Sequence, residues 1–549
     1  MKSRQKQHTE QHPAVRLLLA TASAALLALC WRSDSPPWLP FVFLAPFALS
    51  LRGVRPLQGL LLGWTAGALF WLVSTWWVYN AFVDMLGWPW PGAALATGLF
   101  FLFQGLPYAG LGLACGFMNR RGRTPGALFC AGLLTLLVFL RPAVCPGSAA
   151  LTLYSWPLPI QAADLGGVHL VLFILLLANW LAAEALVNIA RPRAALGRLA
   201  ALAGLLGLVC GYGAWRLDVF QQLPAAAPES DFITIQAIQP NIPVKGYQGL
   251  ESSGPHAGVV GAMAKATELA AAKLPPADLV LWPEVPKDVD CDCTSLRRDG
   301  AARASGAAGG PVLLACVELD HGDNPVVQQE MQDADGRGAA MSTRKIDAMY
   351  NALWLVDENE CRMAYHKVEL VPFGERTPFQ ESWPWLKRTV GRTLEYTPGP
   401  GPRLVELPGG RRVQPLICFE SGFPELARQG AALGAEAFVN VSDDAWFGSA
   451  KAAELHLAMA RFRAVEQRRP LVRCTNNGFG AHVRATGEIV PGTLTPMDVR
   501  TARSARLFCP GERTVYARVG DAWLWILFVA CAAWALVRAK ASGRGGGRF

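Results

Sequence analysis

Val413–Glu420 reads VQPLICFE: an apolar, strand-like run that closes on a thiol, Cys418, followed at once by Phe419 and Glu420. Three other stretches set ionisable groups against apolar runs in the same way. Leu279–Glu284 (LVLWPE) ends on Glu284, Tyr365–Glu375 (YHKVELVPFGE) carries Lys367 and Glu375, and Phe438–Gly448 reads FVNVSDDAWFG. A base, a cation and a thiol together can carry acyl transfer through a thioester.

Around these stretches, from Asp231 onward, short β-rich runs alternate with turn residues. Phe232–Ile238, Leu279–Trp282, Val312–Val317, Ala352–Val356, Val413–Phe419, Phe438–Val441 and Pro470–Cys474 read as strands. Ala262–Ala272 and Ala452–Gln467 have helical periodicity. The second helix sets Leu455, Met459, Phe462 and Val465 on one face and leaves Arg461, Glu466 and Arg468 on or near the other. Strands interleaved with helices imply an α/β or layered α+β domain. The polar, Gly/Asp-rich residues Glu318–Tyr350 read as a long surface loop.

Outside this region the chain is far more apolar. Of its 549 residues 52% are hydrophobic and only 17% charged, against about 25% charged in soluble domains. The apolar runs gather in the first 215 residues or so and again near the C-terminus, which describes a polytopic membrane protein with one large soluble domain and points to a lipid as acyl donor. A span takes about 20 apolar residues. Eight segments qualify: Pro13–Trp31, Trp38–Leu51, Leu57–Tyr79, Trp88–Phe117, Pro125–Leu140, Val168–Ile189, Leu199–Trp215 and Val519–Val537. The second is short and carries Pro40 and Pro46. The first has the basic start of a signal peptide but lacks a clean small-residue cleavage site before Trp31–Ser33, so it reads as an uncleaved span.

The net charge of +9 is not a nucleic-acid footprint, because many basic residues flank the apolar runs. Lys2, Arg4 and Lys6 precede the first span, and Arg52, Arg55, Arg120, Arg121, Arg123, Arg191, Arg193 and Arg198 fill every second connection. Arg538, Lys540, Arg544 and Arg548 follow the last span, before a Gly-rich flexible end, while the alternate loops are nearly free of Lys and Arg. Eight spans with both termini cytoplasmic satisfy this asymmetry throughout. The expected division is 1–217 (seven spans), 218–518 (outside the cytoplasm) and 519–549 (the last span and a cytoplasmic tail).

Cys30, Cys115, Cys130, Cys210 and Cys531 lie in apolar runs and read as small core hydrophobes. Cys291 and Cys293 form a CxC without metal-site spacing. In an oxidising compartment one of them would pair with another exposed cysteine.

Each candidate group also has a plain reading. Cys418 alone is a buried strand cysteine, Glu284 a solvated strand end, and Lys367 and Glu375 surface charges. Together they form a working set. Glu284 follows Pro283 at the end of an apolar strand, where half-burial favours a general base. Lys367 would stabilise a thiolate and an oxyanion, and Glu375 would orient it. His366 is set aside, since on a strand it points away from its neighbour Lys367. Val371–Phe373 and Trp383–Trp385 either dip toward a bilayer or pack in the core.

In this order, WPE (282–284), YHKVELVPFGE (365–375), ICFE (417–420) and NVSDDAWFG (440–448) resemble the nitrilase superfamily. QPNIP (239–243), ELHLAMARFRAVEQR (454–468), RCTNNG (473–478) and the flanking spans resemble its membrane-embedded branch, the apolipoprotein N-acyltransferases. The resemblance implies an αββα sandwich on an eight-span membrane domain in a bacterial inner membrane, with the sandwich on the periplasmic side. It implies Glu284 as general base, Lys367 as transition-state stabiliser and Cys418 as nucleophile, with Glu375 and Glu420 as further essential acids. The implied reaction needs no cofactor and is ping-pong. A phospholipid acylates Cys418, and the α-amino group of a diacylglyceryl-cysteine apolipoprotein then takes the chain. The sequence departs from the family at Phe419 (usually Tyr), at Asp443 (usually Asn), at Ala315–Cys316 (where Gly is common) and near Tyr247, which is the nearest aromatic to an absent Trp.

Two alternatives stand beside this reading. One is a membrane-tethered amidase that resolves the thioester with water. The other is a non-catalytic lipid- or lipoprotein-binding protein. A transporter is disfavoured because the spans carry almost no ionisable residues.

Overall fold

The computed structural model describes residues 11–543 apart from Ser33, Ala143, 243–257, 285–291, 323–326, 333–337, 344–345 and 391–394. Lys2, Arg4, Lys6, Pro243, Tyr247, Cys291, Arg544 and Arg548 lie outside the described residues.

Each of the eight apolar segments falls on helix, with altered bounds. Among the described residues, Pro13–Cys30, Pro56–Thr75, Ala163–Val187 and Pro192–Ala226 are each long and apolar enough to cross a membrane. The expected single span Trp88–Phe117 is two helices, Trp90–Gln104 and Leu106–Arg120, bent by 43°. Leu106 is followed by Pro107, which cannot donate to the preceding turn. Trp38–Leu51 is broken into a 3-10 turn, Leu39–Phe41, and a short helix, Ala45–Ser50. Pro40 and Pro46 interrupt the ladder, and Asn179 satisfies the break by accepting from the Leu44 N–H (2.6 Å) and donating to the Pro40 carbonyl (2.9 Å). Ala127–Leu140 and Ala522–Gly543 complete the set. The seventh segment, expected to stop at Trp215, continues as helix to Ala226.

Helices Pro56–Thr75 and Leu106–Arg120 touch backbone to backbone. A Cβ on Gly59 would overlap the Gly112 carbonyl, and one on Gly112 would overlap that of Gly59. Small residues permit this approach where lipid offers no hydrophobic drive between helices.

The soluble part holds thirteen strands among the described residues: β1 (Phe232–Gln239), β2 (Leu279–Leu281), β3 (Val312–Asp320), β4 (Val327–Gln332), β5 (Gly338–Thr343), β6 (Ala348–Val356), β7 (Cys361–His366), β8 (Val405–Glu406), β9 (Arg412–Ile417), β10 (Ala437–Ser442), β11 (Leu471–Thr475), β12 (Ala481–Val483) and β13 (Thr501–Phe508). They form two main sheets, ordered β13-β1-β2-β3-β6-β7 and β12-β11-β10-β9-β8. The centre of each is parallel: β1, β2 and β3 in one, β9, β10 and β11 in the other.

Alternation explains the layers. Ile235, Leu281, Leu313 and Val439 point into the core between the sheets, where Ile417 also lies. Their neighbours Val280, Leu314 and Ile238 face helices Gly258–Ala271 and Ala301–Ala308. Phe438 and Leu471 face helices Pro424–Leu433 and Ala450–Gln467. Strands buried on both faces read as continuous apolar runs, and the result is the expected αββα sandwich.

Three expectations need correction. The stretch Glu318–Tyr350 is not simply a loop: β3 and β6 run into it as paired strands, and β4 pairs with β5. Backbone pairing holds these strands, so their composition gives little signal. Strands β7, β8, β12 and β13 were not expected; all four are edge strands, of which β7 and β13 are mostly half-buried and β8 and β12 only two and three residues long, so their apolar pattern is weak. Finally, Ala450–Gln467 has no solvent face. Leu455, Met459, Phe462 and Val465 join the core of the membrane helices, while Leu457, Ala460 and Ala464 join the sandwich core. Arg461, Glu466 and Arg468 are buried as well.

Candidate active site

Cys418 follows β9 directly and opens the 3-10 turn Cys418–Gly422 with φ +51°. A non-glycine residue in that region is strained by roughly 1–3 kcal/mol and must be held by its surroundings. Here Asn440 Nδ2 donates to the carbonyls of Leu416 (3.0 Å) and Cys418 (3.3 Å), and Ser421 Oγ donates to the Cys418 carbonyl (3.2 Å).

Glu420 ties this turn to the Lys367 segment. It is fully buried and accepts from the Ile417 N–H (2.7 Å), the Tyr365 hydroxyl (2.7 Å), the Val368 N–H (2.6 Å) and the Glu369 N–H (3.1 Å). Burial pushes its carboxyl up to about 7, against the pull of those donors and of Lys367. With all its contacts internal, Glu420 acts as a brace, a role its sequence position did not specify.

Lys367 is buried, with Nζ 2.9 Å from Glu375 Oε1 and 3.7 Å from Glu284 Oε1. Burial works against its charge, but Glu284 and Glu375 outweigh it and hold the ammonium well above the usual lysine range. Glu375 is locked from a second side by the Val371 N–H (2.8 Å). Asn351, which the sequence reading missed, donates Nδ2 to both Glu284 (2.7 Å) and Glu375 (3.0 Å). A polar residue inside the apolar strand β6 was the available signal. Cys418 lies within electrostatic reach of Glu284 and Lys367; burial pushes its thiol up, Glu284 adds to that, and Lys367 opposes it. His366 faces Glu318 (3.1 Å) and stacks on Tyr350.

Near Cys418 lies a second buried polar group that sequence reasoning did not assemble. Asp444 receives Arg473 Nη2 (2.7 and 2.8 Å) and the Ser442 hydroxyl (3.1 Å), and it faces His456 Nδ1 (3.1 Å). Burial would raise the Asp444 carboxyl, but Arg473 and His456 hold it well below the usual range. Asp443 is also buried, and the same desolvation raises its carboxyl well above normal; it accepts from the Ala445 N–H (3.0 Å).

A cavity of about 690 Å³ runs from Cys418 and Phe419 to the membrane helices, well within the about 300–1,000 Å³ of ligand sites. Phe373, Phe379 and Trp383 line it from the loops, and Leu95 and Leu99 from helix Trp90–Gln104. Leu95, Leu99, Phe379 and Trp383 are also exposed on the outer surface. Val371–Phe373 and Trp383 thus line this cavity rather than the sandwich core.

Cys293 pairs with Cys361, and Cys316 is disulfide-bonded too. Cys30, Cys115 and Cys130 are buried as expected, whereas Cys210 and Cys531 are half-buried.

Two family models match this chain: carbon-nitrogen hydrolase over residues 247–493, and the apolipoprotein N-acyltransferase N-terminal domain over residues 23–181. The chain is 30% identical to the apolipoprotein N-acyltransferase of Allorhizobium ampelinum over 459 residues, covering 80% of this chain and 78% of that protein. It is 30% identical to that of Caulobacter vibrioides over 512 residues, with 88% and 87% covered. It is 27% identical to that of Geobacter metallireducens over 541 residues, with 96% and 95% covered.

Proposed function

The chain belongs to the apolipoprotein N-acyltransferase family, and we propose that Glu284, Lys367 and Cys418 carry its reaction, with a membrane phospholipid as acyl donor. Its activity is acyl transfer to the N-terminus of apolipoproteins, the last step of lipoprotein maturation. The observation that supports this assignment best is the apolar cavity joining Cys418 to lipid-facing side chains beside the buried Lys367.

In the first half-reaction Glu284 takes the Cys418 proton as sulfur attacks the ester carbonyl. The Lys367 ammonium stabilises the oxyanion as it forms. The C–O bond then breaks, Glu284 returns the proton to the leaving alkoxide, and lysophospholipid departs from a Cys418 thioester. In the second half the α-amino group of the diacylglyceryl-cysteine attacks the thioester. Glu284 accepts the proton released by the attacking amine and passes it to sulfur as the C–S bond breaks, so the amide forms and Cys418 leaves as thiol. Glu375 and Asn351 fix the Lys367 and Glu284 side chains through the bonds described, and Phe419 lines the cavity beside Cys418. The apolar lining favours an acyl chain over water and so favours transfer over the amidase reading.

The catalytic domain (218–518) lies on the periplasmic side of the inner membrane, with eight spans divided between 1–217 and 519–549 and both termini cytoplasmic. The Lys/Arg asymmetry supports this orientation, as does the Cys293–Cys361 disulfide, which persists in oxidising compartments.

Mass spectrometry of the intact protein mixed with phospholipid should show one acyl adduct, lost on thioester cleavage by hydroxylamine. Cys418→Ser should show no such adduct while melting like wild type, since a hydroxyl is a much weaker nucleophile here. An adduct of equal yield on the Ser variant would move the nucleophile elsewhere.

A further inference from the structure

A second cavity, of about 340 Å³, shares no lining residue with the one that reaches Cys418. It sits where helix Pro424–Leu433, the end of helix Ala450–Gln467 and the short helix Val515–Val519 converge, just ahead of Ala522–Gly543. Arg428, Arg469, Arg513, Arg518, Glu512 and Gln467 supply its polar lining.

The charges there do not cancel. Arg428 is held by Glu425 (2.7 Å), and Glu512 by Arg216 (2.7 Å), so these two lining groups are already matched. Arg469 is buried and fixed by the carbonyls of Ala435 and Glu512 (2.7 Å each). Among the described residues Arg513 reaches only the Ala432 carbonyl, at 3.5 Å, and both Arg513 and Arg518 are exposed. Three guanidinium groups thus exceed the local carboxylates.

Gln467 gives the independent sign of a ligand. Its residue is 1% exposed, yet neither Oε1 nor Nε2 has a partner among the described residues. A buried amide with both ends unsatisfied is costly unless something enters to bond it. The level in the membrane says what enters. Leu433, Val515, Val519, Trp525 and Ile526 are exposed apolar residues on the elements around the cavity and on the span below it. The guanidinium cluster therefore stands at the edge of the apolar belt, where phosphodiester groups are the abundant anions and Arg forks match them.

We propose that this cavity binds the headgroup of an anionic phospholipid, with the phosphodiester on Arg469, Arg513 and Arg518 and a headgroup hydroxyl on Gln467. On binding, the Gln467 amide turns toward the headgroup, its Nε2 donating to the phosphate and its Oε1 accepting from the hydroxyl. The lipid is a resident one that clamps the last span to the catalytic domain; it is not the acyl donor, and the proposal does not depend on Cys418.

Native mass spectrometry of the full chain in detergent tests it, with phosphatidylglycerol, phosphatidylcholine and inorganic phosphate as separate probes. Wild type should retain one phosphatidylglycerol and gain thermal stability from it. Arg513→Ala/Arg518→Ala should bind it about tenfold more weakly or worse and lose that gain, while melting like wild type without lipid. Arg518→Glu, a second variant at an exposed position, should behave the same way. Equal retention by wild type and these variants would overturn the proposal. So would equal binding of phosphatidylcholine, or displacement of the lipid by inorganic phosphate at matched concentration, which would make free phosphate the ligand.

Discussion

Glu284 and Glu375 face the same ammonium, yet their surroundings divide the work between them. Glu375 is held by Lys367 (2.9 Å), Asn351 (3.0 Å) and the Val371 N–H (2.8 Å), which leaves it little freedom to accept a proton. Glu284 stands 3.7 Å from Lys367 and its side chain is 18% exposed, so it can serve as the base. Glu284→Gln keeps the shape but cannot take the thiol proton. Acyl-Cys418 formed from phospholipid alone should fall by about 10²–10⁴-fold with lipid binding retained. Normal adduct formation, with failure only when the acceptor is added, would pass the role of base to Glu375 or Glu420. Lys367→Arg should lose activity almost as fully as Lys367→Ala. The slot between two carboxylates is built for a compact ammonium, and a planar guanidinium does not mimic it. Turnover of apolipoprotein by the Arg variant measures this, and retention of most of the rate would reduce Lys367 to a general source of positive field.

At the scale of elements, helix Ala450–Gln467 does most to couple the parts. One face packs into the membrane helices and the other into the sandwich. Its ends and flanks are bonded into both: Glu466 accepts from the Val168 N–H (2.9 Å), and Arg468 reaches Asp164 (2.6 Å). His456 on the same helix meets Asp444, which also holds Arg473 from β11. The depressed Asp444 carboxyl makes this junction acid-sensitive in a definite direction. The unfolded state binds the Asp444 proton more readily than the folded state. The stability from the ionised form is therefore present above the ordinary Asp value, about 3.9, and is lost as pH falls below it. The melting temperature of wild type in detergent should drop steeply on acidification below about pH 4, and that of Asp444→Asn should start lower and fall less steeply. Parallel pH profiles for the two proteins would show that Asp444 does not contribute this acid limb.

At the scale of the whole molecule, the proposed orientation rests on charge asymmetry between connections. The disulfide-bearing sandwich sits on the helical part through buried ion pairs such as Arg468 and Arg216 with Asp164. In spheroplasts, a tag placed after Phe549 should resist external protease, while a cleavage site introduced between β4 and β5 should be cut. Cleavage of the tag would mean that one apolar segment does not cross, and the broken Leu39–Ser50 segment is the first candidate.

The sequence by itself determined the features that depend on local pattern. The doubly buried strands β1, β2, β3, β9, β10 and β11 were legible as apolar runs, because each side of such a strand needs apolar cover. The eight apolar segments and their basic flanks were equally legible, since a bilayer imposes length and charge on each segment separately. Glu284 and Cys418 could be singled out because each follows such a run, and Lys367 because it stands in YHKVELVPFGE (365–375), the stretch that resembles the family. What the tertiary structure alone decided depends on residues far apart in the chain. Asn351 bridging two glutamates, Glu420 tying one loop to another, and Asp444 with Arg473 have no spacing rule, because their partners are set by strand order and not by sequence distance. The two-faced burial of Ala450–Gln467 was hidden for a related reason. A helix enclosed by two cores loses the polar stripe that periodicity detects, and Glu466, with Arg468 just past the helix end, bonds to partners 298 and 304 positions away.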